Sequence, residues 1–154
     1  MTETNALRSW KTLSRSTLGR WIFSRLVCFK APYFASISPV FEVLEPGRAV
    51  ARIRKHRAVT NHIGTVHAIA MANLCELVAG TVTEVSVPPA MRWIPRGMKI
   101  DYLAKAETDL TGEATLPPIS EGQAMDIAVP VIVRDRSGQP VVRAEITMYL
   151  SPRR

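Results

Sequence analysis

Cysteine is scarce in this sequence, with only Cys28 and Cys75 in 154 residues. Both stand in apolar runs, and neither belongs to a CxxC or Cys/His spacing. The pattern argues against a disulfide framework or a thiolate metal site; each cysteine reads as a small buried hydrophobe, and a reducing, cytoplasmic setting fits that usage. Acidic residues are also few: 13 Asp+Glu against 20 Lys+Arg leave a formal charge of +7. That excess favours anionic partners such as nucleotides, acidic lipids or phosphorylated cofactors, or is a well-solvated basic surface. Nucleic acid is not the expected partner, because no recognisable motif or aromatic-basic strand accompanies the charge. Long apolar runs near the N-terminus are missing too. The stretch from Trp21 to Phe29 is broken by Arg25, is too short to cross a bilayer and lacks a small-residue cleavage site, so neither a transmembrane segment nor a leader is expected. His56 and His62 have no metal-ligand pattern around them, and no metal or resident cofactor is expected.

What remains is a chain of one-domain length whose 47% hydrophobic content supports a real core. Residues 4 to 30 read as a helical arm. Leu7, Trp10, Leu18, Trp21, Ile22, Leu26 and Phe29 recur at roughly helical steps, with Arg8, Lys11, Arg15, Arg20, Arg25 and Lys30 between them. Such an arm can pack its aromatics on its own domain or touch a membrane surface weakly; packing is the favoured reading. Gly19 is the expected break within it, and Pro32 its end. The expected organisation is an arm over 1–35 and a single domain over 36–154.

From residue 40 the pattern changes. Val40–Leu44 and Ala49–Arg54 read as a hairpin across Pro46-Gly47. Val66 to Val87 holds no proline, and its residues are apolar on nearly every helical face, the mark of a buried helix. Pro88-Pro89 stops it. Four strands are expected after that: Arg92–Ala106, Asp109–Leu116, Asp126–Arg134 and Val141–Leu150. Pro130 predicts a bulge within the third. One buried helix and one large antiparallel sheet predict an α+β domain in which the sheet wraps the helix. A second copy is an economical cover for the edges of such a sheet.

Between Ala68 and Thr83, Glu76 is the one charged residue. A carboxylate in an apolar helix is costly unless paired, which makes Glu76 a functional candidate. His67 and Ala68 stand where the helix starts. The first N–H groups of a helix lack internal partners and can meet a developing oxyanion. Gly64-Thr65 supplies the turn into that position, and Asn61 lies in the same loop. Amide, free N–H, imidazole and carboxylate are the parts of an acyl-transfer site. At about 1.5 Å per residue, Ala68 and Glu76 lie roughly 12 Å apart along one axis. If they cooperate, they do so across a dimer with antiparallel helices.

The stretch Asn61-His62-Ile63-Gly64-Thr65-Val66-His67-Ala68, followed by Ala72-Asn73-Leu74-Cys75-Glu76-Leu77-Val78-Ala79-Gly80, resembles the active-site segment of hotdog-fold thioesterases of the phenylacetic-acid-pathway and 4-hydroxybenzoyl-CoA types. Ala31-Pro32-Tyr33-Phe34 and Asp101-Tyr102-Leu103-Ala104-Lys105-Ala106 resemble the DUF4442 subfamily more closely still. The resemblance spans about residues 15 to 150. It implies a hotdog fold, an antiparallel sheet around one long helix, paired as a homodimer or a dimer of dimers. It implies an acyl-CoA substrate, with coenzyme A entering only as part of that substrate. The Ala68 N–H would polarise the thioester carbonyl and Glu76 would act as base or nucleophile. Asn61 would position water or the thioester, and His67 would orient the carbonyl or support the loop. Gly64, Thr65, Met71, Gly80 and Arg92 are the expected substrate contacts. Two positions depart from the family: Ala68 stands for the usual Gly, and Gly80 stands where a Ser or Thr hydroxyl is common. These departures leave two alternatives, a non-catalytic acyl-thioester-binding protein and a hotdog dehydratase or hydratase.

Overall fold

Two serines, rather than the expected Gly19, divide the N-terminal arm. The computed structural model describes residues 3–153. In it α1 (Asn5–Leu13) ends at Ser14, and α2 (Thr17–Lys30) begins under Ser16, whose hydroxyl accepts the Gly19 N–H at 3.0 Å. Serine is a strong N-cap, so the new helix starts there. Gly19 sits inside α2 for another reason. A Cβ at that position would lie 1.8 Å from the Leu13 carbonyl oxygen, so only glycine lets the two helices meet so closely. Pro32 opens a 3-10 turn, Pro32–Ile37, after α2 has ended at Lys30.

The arm shares the core of the sheet. Trp10 and Phe23 meet edge to face with centroids 5.1 Å apart, and Phe23 meets Phe41 at 5.6 Å. The Ser24 hydroxyl donates to the Arg20 carbonyl and accepts the Phe41 N–H, pinning α2 to the first strand. The other side of α2 stays open: Leu18, Trp21, Ile22, Leu26 and Phe29 are exposed, Phe29 at 85%. The expectation that the arm packs its aromatics inward therefore holds for Trp10 and Phe23 and fails for Trp21 and Phe29. The apolar side chains of α2 spread around its roughly four turns, so they cannot all meet one surface.

Six strands follow: β1 (Val40–Glu45), β2 (Arg48–Ile53), β3 (Met91–Tyr102), β4 (Leu110–Thr115), β5 (Met125–Arg134) and β6 (Pro140–Pro152). They form one antiparallel sheet in the order β1-β2-β4-β5-β6-β3. Between β2 and β3 runs α3 (Ala68–Ser86), laid across the sheet with Leu74, Cys75, Leu77, Val78, Ala79 and Val82 fully enclosed. This 19-residue helix is long and apolar enough to cross a membrane, but most of it lies inside the sheet. Cys28 and Cys75 are both free and buried, and burial pushes the Cys75 thiol up to about 12.

Two strand details differ from expectation. Pro130 causes no bulge: it pairs with Glu145 of β6 on one side, while on the other the β4 ladder has already stopped at Ala114–Val131. A proline there removes no ladder bond. The irregularity falls at Val133/Arg134 instead. β3 ends at Tyr102 rather than at residue 106. Leu103 makes one more bond to Val141, and the chain then turns so that the Ala106 carbonyl accepts the Val66 N–H ahead of α3.

The two edges of the sheet are unlike. β1 is covered by α2. β3 lies open along its outer side among the described residues, with Ile94 and Met98 exposed and Arg92, Arg96 and Lys99 spaced along it. Such an edge is a template for pairing with another strand.

Candidate functional site

The start of α3 is held by a dense local network. Asn61 organises the preceding loop: its Oδ1 accepts the Ile63 and Thr65 N–H groups at 3.1 Å, and its Nδ2 donates to the Thr65 hydroxyl at 2.8 Å. Its own N–H donates to the Thr65 carbonyl, and its carbonyl accepts from Gly64. Gly64 makes the turn at φ +80°, a region open to glycine, and Thr65 is buried behind it. His67 is the N-cap. Its Nδ1 accepts the Ile69 N–H at 3.0 Å, which leaves the proton of the neutral ring on Nε2.

The helix therefore opens with its second N–H capped. The N–H groups of Ala68 and Ala70 meet no acceptor among the described residues. Tyr102 donates its hydroxyl to the Ala68 carbonyl at 3.1 Å, and burial pushes that phenol above its ordinary range, with Cys75 adding to the effect. Two free N–H groups at the positive end of a helix can receive a carbonyl oxygen that is gaining charge.

Beside His67 lies a small cavity of about 180 Å³, whose walls include Tyr33, Ser36, Thr60 and Asn73. Asn73 is 5% exposed; its Nδ2 donates to the Ser36 hydroxyl, and its Oδ1 is buried without a donor. The sequence reading passed over this residue. Its signal was present: Asn73 is an amide in the apolar run of α3, three residues before Glu76 and thus on a neighbouring face.

Glu76 stands elsewhere. It is half-buried, and no hydrogen bond or ion pair engages its carboxylate among the described residues. It opens on a second cavity of about 320 Å³, between α3, the arm and β3, and on a shallower hollow against Pro95, Gly97 and Met98. Gly80 lies one turn along in the same wall. A Cβ there would come within 3.2 Å of the Trp93 ring, so the missing side chain is what lets the indole lie against the helix. Trp93 is fixed in place by its Nε1, which donates to Glu84 at 2.8 Å. The Thr81 hydroxyl turns back to donate to the Leu77 carbonyl.

The candidates thus fall into two groups. Asn61, Gly64, Thr65, His67 and Ala68 gather at the helix start, where His67 lines the small cavity, whereas Glu76 and Gly80 belong to the larger one. Two candidates lie apart from both groups. Met71 is buried in the core. Arg92 donates to the Ser151 hydroxyl and projects from the sheet face opposite Trp93. The basic strip of β2 is partly neutralised, Arg48 by Glu113 at 2.7 Å and Arg52 by Glu42 at 3.5 Å. Arg96 bonds both oxygens of Asp126 and lies over the Tyr149 ring. Among the described residues no group of three His, Cys, Asp or Glu side chains has the arrangement to hold a metal ion.

The comparison with curated proteins returns no match. A structural-genomics crystal structure, APC5556, is 44% identical, spanning 96% of this chain and 98% of that one with a TM-score of 0.84. PA5026 of Pseudomonas aeruginosa, described as a probable thioesterase, is 24% identical over 84% of this chain and 93% of that one, with a TM-score of 0.76. The thioesterase HI1161 of Haemophilus influenzae shares 12% identity over 78% of this chain and 82% of that one, with a TM-score of 0.68. At those lower identities the shared feature is the fold, one sheet around one helix, as the sequence predicted. The family model described as a domain of unknown function, DUF4442, matches residues 19–150. The chain belongs to the DUF4442 family and has the hotdog fold.

Proposed function

We propose that this protein hydrolyses acyl-CoA thioesters at a site shared by two protomers. The observation that carries the reading is the unengaged Glu76 carboxylate in a mostly apolar cavity. A carboxylate there, with no partner to hold it ionised or idle, is suited to take a proton from water. The free N–H groups at the start of α3 are the complementary half. They lie roughly 12 Å along the axis from Glu76, too far to serve it within one chain. The open β3 edge supports pairing with a second copy, which would bring the start of one α3 towards the middle of the other.

In this mechanism the Ala68 N–H donates to the thioester carbonyl oxygen. Glu76 of the other protomer removes a proton from water as the water oxygen attacks the carbonyl carbon. The tetrahedral oxyanion collapses, the C–S bond breaks, and the proton held by Glu76 passes to the departing thiolate. The products are free acid and coenzyme A. His67 and Asn61 hold the helix start in place, with His67 Nε2 free to donate towards the carbonyl.

Two measurements test this. Free-thiol release is followed over a panel of acyl-CoAs for the wild type, Glu76→Gln and Glu76→Ala. No release from the wild type, or equal release from all three, overturns the reading. Binding without release identifies a non-catalytic acyl-thioester module, and hydration of crotonyl-CoA identifies a hydratase. Mixed dimers test the sharing. Ala68→Pro removes one N–H at the first helical position, where proline fits; His67, at φ −64° and ψ 140°, already has the backbone that precedes proline. Mixing Ala68→Pro with Glu76→Gln rebuilds one intact site per heterodimer and restores activity. A site within one chain stays dead.

The reading includes a cytoplasmic setting and a weak surface contact. The exposed Leu18, Trp21, Ile22, Leu26 and Phe29, flanked by Arg20 and Lys30, form an apolar face with a basic border that suits an anionic lipid surface. Co-sedimentation with phosphatidylglycerol vesicles but not phosphatidylcholine vesicles checks it.

A further inference from the structure

The geometry points to an acyl-chain groove roofed by the N-terminal arm, shaped for an unbranched chain of medium length. The inference rests on the thioesterase reading above and names the substrate class of that site. The cavity beside Glu76 has about 320 Å³ of space, and most of its wall is apolar: Val27, Ala31 and Phe34 from the arm side, Leu77 and Gly80 from α3, and Trp93 from β3, with Lys30 and Glu84 as its other charged members. A water molecule occupies about 30 Å³ of liquid, and a methylene group is of similar size, so the space holds roughly ten carbons.

Two of the polar groups in these walls are already engaged: Glu84 accepts from the Trp93 indole, and the Thr81 hydroxyl donates to Leu77. Lys30 adds an ammonium to the wall on the arm side. A hydroxylated or amide-bearing acyl group would lose its water along the stretch made by Phe34, Leu77, Gly80 and Trp93, where no side chain is placed to replace it. Glu76 stands at one end, where the thioester carbon must lie for water to attack it. The flat Trp93 ring along Gly80 gives a methylene chain a straight wall rather than a branched pocket. The arm thus acts as the specificity wall, which gives a reason for Val27, Ala31 and Phe34 to face inward while their neighbours on α2 face out.

The test uses Glu76→Gln protein, so that binding is read without turnover, and straight-chain acyl-CoAs from butyryl to tetradecanoyl. Trp93 fluorescence is the probe, with Trp93→Phe as the control that removes the signal. Affinity is expected to rise about twofold to fourfold per added methylene and to level off at roughly ten carbons. Ala31→Phe, and independently Val27→Phe, fill the groove and weaken decanoyl-CoA by about tenfold while leaving butyryl-CoA unchanged. Affinity independent of chain length, equal weakening of both ligands in both variants, or a preference for hydroxylated or ω-carboxylated chains overturns the groove. Chain-length-dependent binding with no thiol release from the wild type leaves the groove standing and removes the hydrolysis. Thiol release without chain-length dependence does the reverse.

Discussion

The two halves of α3 are built by different means. Its start is a capped, bonded corner: Asn61 serves its loop, His67 caps the helix, and Tyr102 holds the Ala68 carbonyl. Its middle is nearly bond-free at the surface, with Glu76 unengaged and Gly80 bare before the Trp93 ring. The first region is rigid and its free N–H groups are aimed by the helix itself. The second is an opening whose walls come from three distant parts of the chain. Rigid donors at one place and an unpaired base at another are what a composite site requires, because neither half can quench the other inside one protomer.

The contrast can be broken experimentally. Glu76→Gln is expected to lower kcat/KM for acyl-CoA by about 10²–10⁴, the usual loss of a general base. Its urea midpoint should stay near that of the wild type, since no bond to the protein is lost. A large stability change would mean that Glu76 is structural. Leu74→Ala, in the enclosed part of the same helix, should do the opposite: about 2–5 kcal/mol lost in urea unfolding, with catalysis preserved in the folded fraction. Asn61→Ala removes three side-chain bonds and should cost about 1–3 kcal/mol, with faster amide exchange at Ile63 and Thr65 as the local sign. His67→Ala should cost roughly 1 kcal/mol as a lost cap.

The remaining effect concerns pH. Burial raises the Cys75 thiol from 9.0 to about 12, so the folded state favours the neutral form. Between those values the unfolded chain has released this proton and the folded chain has kept it, so stability is intact below pH 9 and falls as pH rises towards 12. Comparing the urea midpoints of wild type and Cys75→Ala at pH 7 and pH 10.5 isolates that part. A difference that does not change with pH would remove the effect.

Much of this molecule was legible in its residues. The alternation of Val142, Ala144, Ile146, Met148 and Leu150 marked β6, and the proline-free apolar run marked α3, because period and burial are local properties. The helix start was legible for the same reason: Asn61, Gly64 and His67 act within a few residues of themselves. Gly19 and Pro130 were misread because one answers to the approach of two helices and the other to the end of a ladder, and neither shows in the local period. Gly19 meets the Leu13 carbonyl, and Pro130 sits where β4 has already stopped. Asn73 escaped notice because its partner, Ser36, lies 37 residues away.

By itself, the sequence determined one sheet around one buried helix, the start of that helix at His67-Ala68, and a lone carboxylate at Glu76. Those follow from periodicity, turn residues and the cost of charge in an apolar run, all read over short stretches. Only the tertiary structure decided that Val27, Ala31, Phe34 and Trp93 enclose one cavity with Glu76, that β3 is left as the open edge, and that half of the arm faces outward. Those depend on which distant surfaces meet, and the packing of arm, helix and sheet settles that together rather than any one segment.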